Sequence, residues 1–227
     1  MTISIHQPNY LPWLGFFDKI KRSDKFVILD NVQYPRGKNH FGNRNKIKIH
    51  NNSKWLTIPV LGKSQKLNFN EIGFKNYDWA HEHLRLLKIF YKDTPYFEEY
   101  FHYINDLLLY DFKTISDLNI QLIKKLLREL DIETEIILSS SLVTNEISGA
   151  DRIMTILQKL NATKYITGSG PGSIRYINEQ DFNKNNIELI WQHYKHPEYN
   201  QVNGKFIPYM NILDLLFNEG PNSKNII

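Results

Sequence analysis

The chain has no cysteine. That excludes disulfides, cysteine-ligated zinc and a cysteine nucleophile together. It also lacks an apolar run long enough to span a bilayer, and its first residues lack the basic, apolar and small-residue succession of a signal peptide. A cytoplasmic location with no membrane span is the expectation. No internal repeat, low-complexity tract or Pro/Gly-rich linker divides the sequence. A concentrated basic stripe is missing as well. The net charge is only +4, and lysines such as Lys19, Lys21, Lys25, Lys46 and Lys48 alternate with acids and asparagines. They read as a solvated surface, and nucleic acid is not an expected partner. The mild positive bias still favours anionic small molecules such as sugar nucleotides.

What is present suits one folded domain. The 227 residues are 41% hydrophobic and 13% aromatic, enough for a sizeable core. Tyrosine and phenylalanine number 13 each, so many aromatics carry a polar handle suited to sugars or nucleotide rings. Ile3-Ser4-Ile5-His6 reads as a buried first strand, and residues 16–22 as a helix. Residues 26–30 form a second buried strand ending on Asp30. Residues 45–49 and 54–60 resemble a hairpin turning at Asn51-Asn52. Residues 77–90, 96–109 and 115–130 carry apolar side chains at helical spacing, the last with Ser116 or Thr114 as its cap. Strands at 134–138, 164–167 and 187–191 alternate with helices at 151–160 and 211–218. The fold class is therefore α/β: a mostly parallel sheet with flanking helices, an early antiparallel hairpin and a central helical segment. Residues 1–227 form one domain, with a helical subdomain at about 77–130 as an option.

Four stretches carry candidate chemistry. The first is His6-Gln7-Pro8-Asn9-Tyr10-Leu11-Pro12-Trp13-Leu14-Gly15. Polar and aromatic groups at a strand-to-helix turn are fixed by the strand and exposed by the loop. His6 is a proton carrier there, or a turn histidine bonded to a backbone carbonyl. The second is Asp30-Asn31-Val32-Gln33-Tyr34-Pro35-Arg36 with Asn43-Arg44-Asn45, either a clamp for a hydroxylated phosphate-bearing ligand or a loop pinned by an Asp-Arg bridge. The third is Gly168-Ser169-Gly170-Pro171-Gly172, followed by Arg175 and Tyr176: an amide cradle for phosphate or oxyanion, or a tight turn. It matches neither a Walker A nor a dinucleotide motif. The fourth is the terminal cluster of His193, Lys195, His196 and Tyr199, with Phe206, Pro208 and Asp214. A metal there needs a ligand from elsewhere, such as His6 or Asp30, so no metal is expected. His81 and His83 read as surface residues. Trp55, Trp79, Phe90 and Tyr91 read as core. The two ends of the chain, rich in unusual groups, are expected to meet.

Together with Val27-Ile28-Leu29-Asp30, Trp55-Leu56-Thr57-Ile58-Pro59-Val60, His196-Pro197-Glu198-Tyr199, Phe206-Ile207-Pro208 and residues 212–218, these motifs resemble the WbqC-like family over essentially the whole chain. The resemblance implies a role in bacterial O-antigen or other surface polysaccharide synthesis. It further implies transfer of an acyl or aminoacyl group to a nucleotide-linked amino sugar. The donor would be a thioester on coenzyme A or on the phosphopantetheine of an acyl carrier protein, with no tightly bound cofactor. On that reading His6 is the base, with His196 as second candidate, and Asp30 orients a histidine or holds sugar hydroxyls. Arg36 or Arg44 takes phosphates, and Tyr10 and Trp13 pack on a sugar or base. Amides of Gly168, Ser169 and Gly170 serve an oxyanion. Gln7, Asn9, Asn31, Tyr34, Asn43, Arg175, Tyr176, His193 and Tyr199 complete the expected binding set. Two alternatives stay open. One is a nucleotidyltransferase of the HIGH-motif type, though the motif's second histidine is missing. The other is a non-catalytic sugar-nucleotide binding protein.

Overall fold

The computed structural model describes residues 1–35, 37, 40–62 and 66–227. Arg36, one of the two expected phosphate contacts, lies outside the described residues. Two compact units divide the chain. The first comprises Met1–Gln7, Asp18–Val32 and Ile132–Lys195; the second comprises Pro8–Phe17, Gln33–Asp131 and His196–Ile227.

The first unit is a five-stranded, wholly parallel sheet. Its strands are β1 (Thr2–His6), β2 (Lys25–Ile28), β5 (Glu135–Leu138), β6 (Lys164–Gly168) and β7 (Glu188–Gln192), in the spatial order β5-β2-β1-β6-β7. Helix α1 (Leu14–Lys21) joins β1 to β2, and α5 (Gly149–Lys159) joins β5 to β6. The short helices α6 (Pro171–Ile174) and α7 (Glu179–Lys184) join β6 to β7. Strand alternation sorts the side chains. Ile3, Ile5, Val27 and Tyr165 point into an apolar cluster with Ile156 and Leu157 of α5 and Phe182 of α7. Ser4, His6 and Phe26 fall on the opposite face. There the Ser23 hydroxyl donates to Ser4 Oγ at 2.7 Å, and the Lys19 ammonium sits 5.9 Å from the Phe26 ring centre. One face of the sheet is wholly apolar; the other sets Ser4 and His6 of β1 among apolar neighbours such as Phe26, Ile28 and Ile166.

The second unit is mostly helical: α2 (Asp78–Tyr91), α3 (Phe97–Leu109), α4 (Ile115–Glu129), α8 (Ile212–Glu219) and α9 (Ser223–Ile226). It also holds the hairpin of β3 (Arg44–Ile49) and β4 (Asn52–Thr57). The hairpin forms its own two-stranded sheet and adds no strand to the parallel one. Helix α4 buries Ile115, Leu118, Leu122, Ile123, Leu126 and Leu127 along one stripe. Thr114, not Ser116, caps it, its Oγ1 accepting from the Asp117 amide at 3.1 Å. The chain ends meet within this unit: Trp13 bridges Asn211, and the Ile212 amide donates to Pro12 O at 2.9 Å. No helix among the described residues is long and apolar enough to cross a membrane.

Candidate functional site

Ligands of doubly wound sheets bind outside the carboxyl ends of two neighbouring strands whose connections run in opposite directions. Strands β2 and β5 lie on one side of β1, and β6 and β7 on the other, so the switch falls between β1 and β6. Pairing of β1 with β6 stops at Ser4–Ile166. Pairing of β1 with β2 continues to His6–Ile28, and that of β6 with β7 to Gly168–Gln192. The last residues of β1 and β6 therefore separate. Beyond that last pair, Ile5 and His6 end β1, and Thr167 and Gly168 end β6, which sets the bounds of the gap between the strand ends.

His6 ends β1. Its Nδ1–H donates to Gln7 O at 2.9 Å, which fixes the proton on Nδ1. Burial, and then the nearby Lys19 charge, push the imidazole down to about 3, so the ring is neutral and a poor base at pH 7. Lys19 itself is 3% exposed. Its ammonium donates to Ile5 O over 3.4 Å, and burial pulls it down to about 7. This corrects the reading of Lys19 as solvated. The clue lay in its spacing, three residues after Phe16 and beside Ile20, on the apolar side of an eight-residue helix. Asp18, next along α1, accepts from Gln192 Nε2 at 2.6 Å and pairs with Arg22 at 3.5 Å. Across the gap, Gly168 closes β6 and the exposed Ser169-Gly170 leads into α6, where the Ser173 amide donates to Gly170 O at 2.9 Å. A Cβ on Gly170 or Gly172 would meet nothing within 4 Å, so this segment stands open. Arg175 is exposed over the Tyr176 ring at 4.5 Å, and His193 lies exposed past β7.

Asp30 and Asn31 serve the loop. The Asp30 carboxylate accepts from the Ser140 amide at 2.9 Å and faces Ser139 Oγ at 3.0 Å. Asn31 donates to Val143 O at 2.9 Å and accepts from Arg152 Nη1 at 2.6 Å. The bridge pinning this loop thus runs to the Asn31 amide from Arg152, which the sequence reading passed over.

In the second unit most of the expected binding residues are interior ties. Tyr10 is fully buried, its hydroxyl 2.9 Å from His83 Nδ1, and it has no face to offer a sugar. His83 is buried, not at the surface, and burial lowers it to about 4. Asn43 donates to Ile58 O at 2.6 Å and Asn45 to Leu11 O at 2.5 Å. Asn9 is buried, and Tyr34 is buried edge-on to Phe69. Arg44 lays its guanidinium 3.9 Å from the centre of the Trp55 ring, and Trp55 is at the surface rather than in the core.

The terminal cluster divides into a core tie and an aromatic patch. Asp214 is 0% exposed and accepts from Tyr91 OH at 2.7 Å, Tyr199 OH at 2.6 Å and Gln201 Nε2 at 2.7 Å. Burial raises its carboxyl, against the pull of those three donors. Beside it Tyr209, exposed and with φ +61°, lies 5.0 Å from His196 and 5.7 Å from Trp13. The His196 Nδ1–H donates to Pro197 O at 2.8 Å, and burial lowers the ring. Tyr209 is the exposed aromatic of this cluster, and Trp13 is half-buried beside it. An open groove of about 330 Å³, lined by Thr57, Pro59, Asn76, Asp78, Trp79, Glu82 and His83, contains none of the sequence-derived binding residues. Among the described residues no three His, Asp or Glu side chains converge as metal ligands.

The WbqC-like protein family matches residues 7–226. The chain is 33% identical over 229 residues to the uncharacterized protein Rv1507c of Mycobacterium tuberculosis, covering 99% of this chain and 96% of that one. No solved structure matches it significantly.

Proposed function

From the premise that the chain belongs to the WbqC-like protein family, we propose that it is a transferase of bacterial surface-polysaccharide synthesis. It moves an acyl or aminoacyl group from a thioester, on an acyl carrier protein or coenzyme A, to the amino group of a nucleotide-linked amino sugar. The observation that supports this best is the gap between β1 and β6. At the carboxyl ends of these neighbouring strands are a neutral histidine and a buried amine on the β1 side and an open glycine segment after β6. In the reaction the sugar amine attacks the thioester carbon, the C–S bond breaks and an amide forms. The proton shed by the amine leaves with the thiolate, so no covalent enzyme intermediate is required, in keeping with a chain that has no cysteine. The glycine-segment amides serve the developing oxyanion, and His6 acts as a hydrogen-bonding group rather than the base.

The test is incubation with a panel of nucleotide-linked amino sugars and acyl thioesters, following thiol release and the mass of the sugar nucleotide. Stoichiometric thiol and acylated sugar are the expected result. A second reading, nucleotidyl transfer, draws on His6 ending β1 at the switch point, where a triphosphate would lie. Pyrophosphate release from ATP and magnesium without thiol release would replace the first reading with the second. Binding without turnover of any kind would leave a sugar-nucleotide binding protein.

A further inference from the structure

A lysine inside a protein normally has a carboxylate or several acceptors to meet, because its ammonium carries three donors and loses its water on burial. Lys19 has little of this. Among the described residues its one hydrogen-bond acceptor is Ile5 O, at a long 3.4 Å. Among the described residues no carboxylate lies within ion-pair distance of it: Asp18, its neighbour on α1, is engaged with Arg22 and Gln192. From β1 the facing group is His6, neutral; from β2 it is the Phe26 ring. Among the described residues the Lys19 ammonium is therefore a positive charge with no paired negative one.

The direction of the backbone says where that charge lies. Along β1 the carbonyls of Thr2 and His6 accept from Asp24 and Leu29, on the β2 side. That of Met1 accepts from Thr163 and Lys164, on the β6 side. Alternation puts Ile5 O on the β6 side, one residue beyond the last β1–β6 pair at Ser4–Ile166. Lys19 Nζ thus stands on the β6 side of β1, past the last pair of the two strands, and the open Ser169-Gly170 segment follows the end of β6.

We propose that Lys19 Nζ is the contact for a phosphoryl group of a nucleoside diphosphate or its sugar conjugate lodged between the carboxyl ends of β1 and β6. The assignment rests on the reading of that gap as the substrate site. The phosphoryl oxygens supply the missing counter-charge and acceptors, and the glycine-segment amides supply donors from the other side. Burial holds the free amine near 7, so at higher pH it is mostly neutral. An anion beside it favours the charged form, and binding then draws a proton from solution.

The experiment is calorimetric titration of the full-length protein with UDP-, GDP- and dTDP-glucose at about pH 8, in two buffers of different protonation enthalpy. The phosphates of these probes are diesters and do not titrate there, so any proton exchange belongs to the protein. The expected result is binding of at least one probe with uptake of close to one proton. Lys19→Met and Lys19→Gln should weaken that binding at least tenfold and abolish the uptake. In wild type, the Lys19 Cε resonance should report an amine pKa that rises when the same probe is added, a reading that survives even if the variants fold poorly. Binding without proton uptake, unchanged in both variants, would overturn the role of Lys19 and leave the gap as the site. Failure of all three probes to bind would overturn the site reading and the role of Lys19 together.

Discussion

Asp214 in the second unit and Lys19 in the first are buried alike, at 0% and 3% exposed, yet the protein treats them in opposite ways. The carboxylate takes three short hydrogen bonds, from Tyr91, Tyr199 and Gln201, and ties α2 and α8 to the terminal segment. The amine has, among the described residues, one long bond to a carbonyl. A buried charge whose partners are complete is held for the fold, since removing it leaves its donors stranded. A buried charge whose partners are missing weakens the fold, and its retention points to something absent from the folded chain. The same contrast separates the Asn31, Asn43 and Asn45 side chains, whose Nδ2 groups donate to backbone carbonyls, from the open glycine segment after β6.

Mutations can break this comparison at either end. Asp214→Ala should cost the most, about 3–5 kcal/mol, because two tyrosine hydroxyls and an amide lose their acceptor inside the core. Urea unfolding would measure it, and a loss under 1 kcal/mol would deny the tie its structural role. Acid should follow. Both His6 and His83 have folded values below the ordinary 6.5, at about 3 and about 4, so the unfolded chain binds protons first. Stability is complete above pH 6.5 and falls as pH drops toward those values, by roughly 1.4 kcal/mol per pH unit for each ring. His83→Gln should make the acid slope shallower between pH 6.5 and about 4.

Gly15→Ala comes next. A Cβ there would sit 2.2 Å from the Trp13 ring, so the indole must swing off the start of α1 at a cost of about 1–3 kcal/mol. A shift in tryptophan emission should accompany the loss; unchanged emission with unchanged stability would contradict this placement of Trp13. Lys19→Met should have the smallest effect on the fold, within about 1 kcal/mol of wild type or stabilising, since it replaces an under-bonded ammonium by an apolar chain. The advantage should shrink as pH rises from about 7 toward 10.5, where the wild-type amine is neutral in both states.

The long helices were legible because their buried stripes repeat over several turns, as Ile115 to Leu127 does in α4. The alternating strands revealed the parallel sheet for a similar reason, although the hairpin closes at Thr57 and not at Val60. Helices α6 and α7, of four and six residues, are too short to show a period. The site was harder. Asn31, Asn43 and Asn45 have the chemistry of ligand contacts, but a side-chain amide also imitates a peptide group, and only the fold decides which distant carbonyl it meets. Lys19 was hidden because a charge counts as surface until its neighbours are known. Trp55 was misplaced for the converse reason: on a hairpin with one solvated face, the Arg44 guanidinium covers an indole that stays outside.

The most direct test of the contrast is the thermal midpoint of Lys19→Met, measured beside wild type with and without whichever of UDP-, GDP- or dTDP-glucose binds wild type. A bound ligand must raise the midpoint of a protein that holds it. The expected midpoint is at or above wild type without the sugar nucleotide, with no rise on adding it. A lower midpoint, with the ligand-induced rise intact, would mean that Lys19 serves the fold after all.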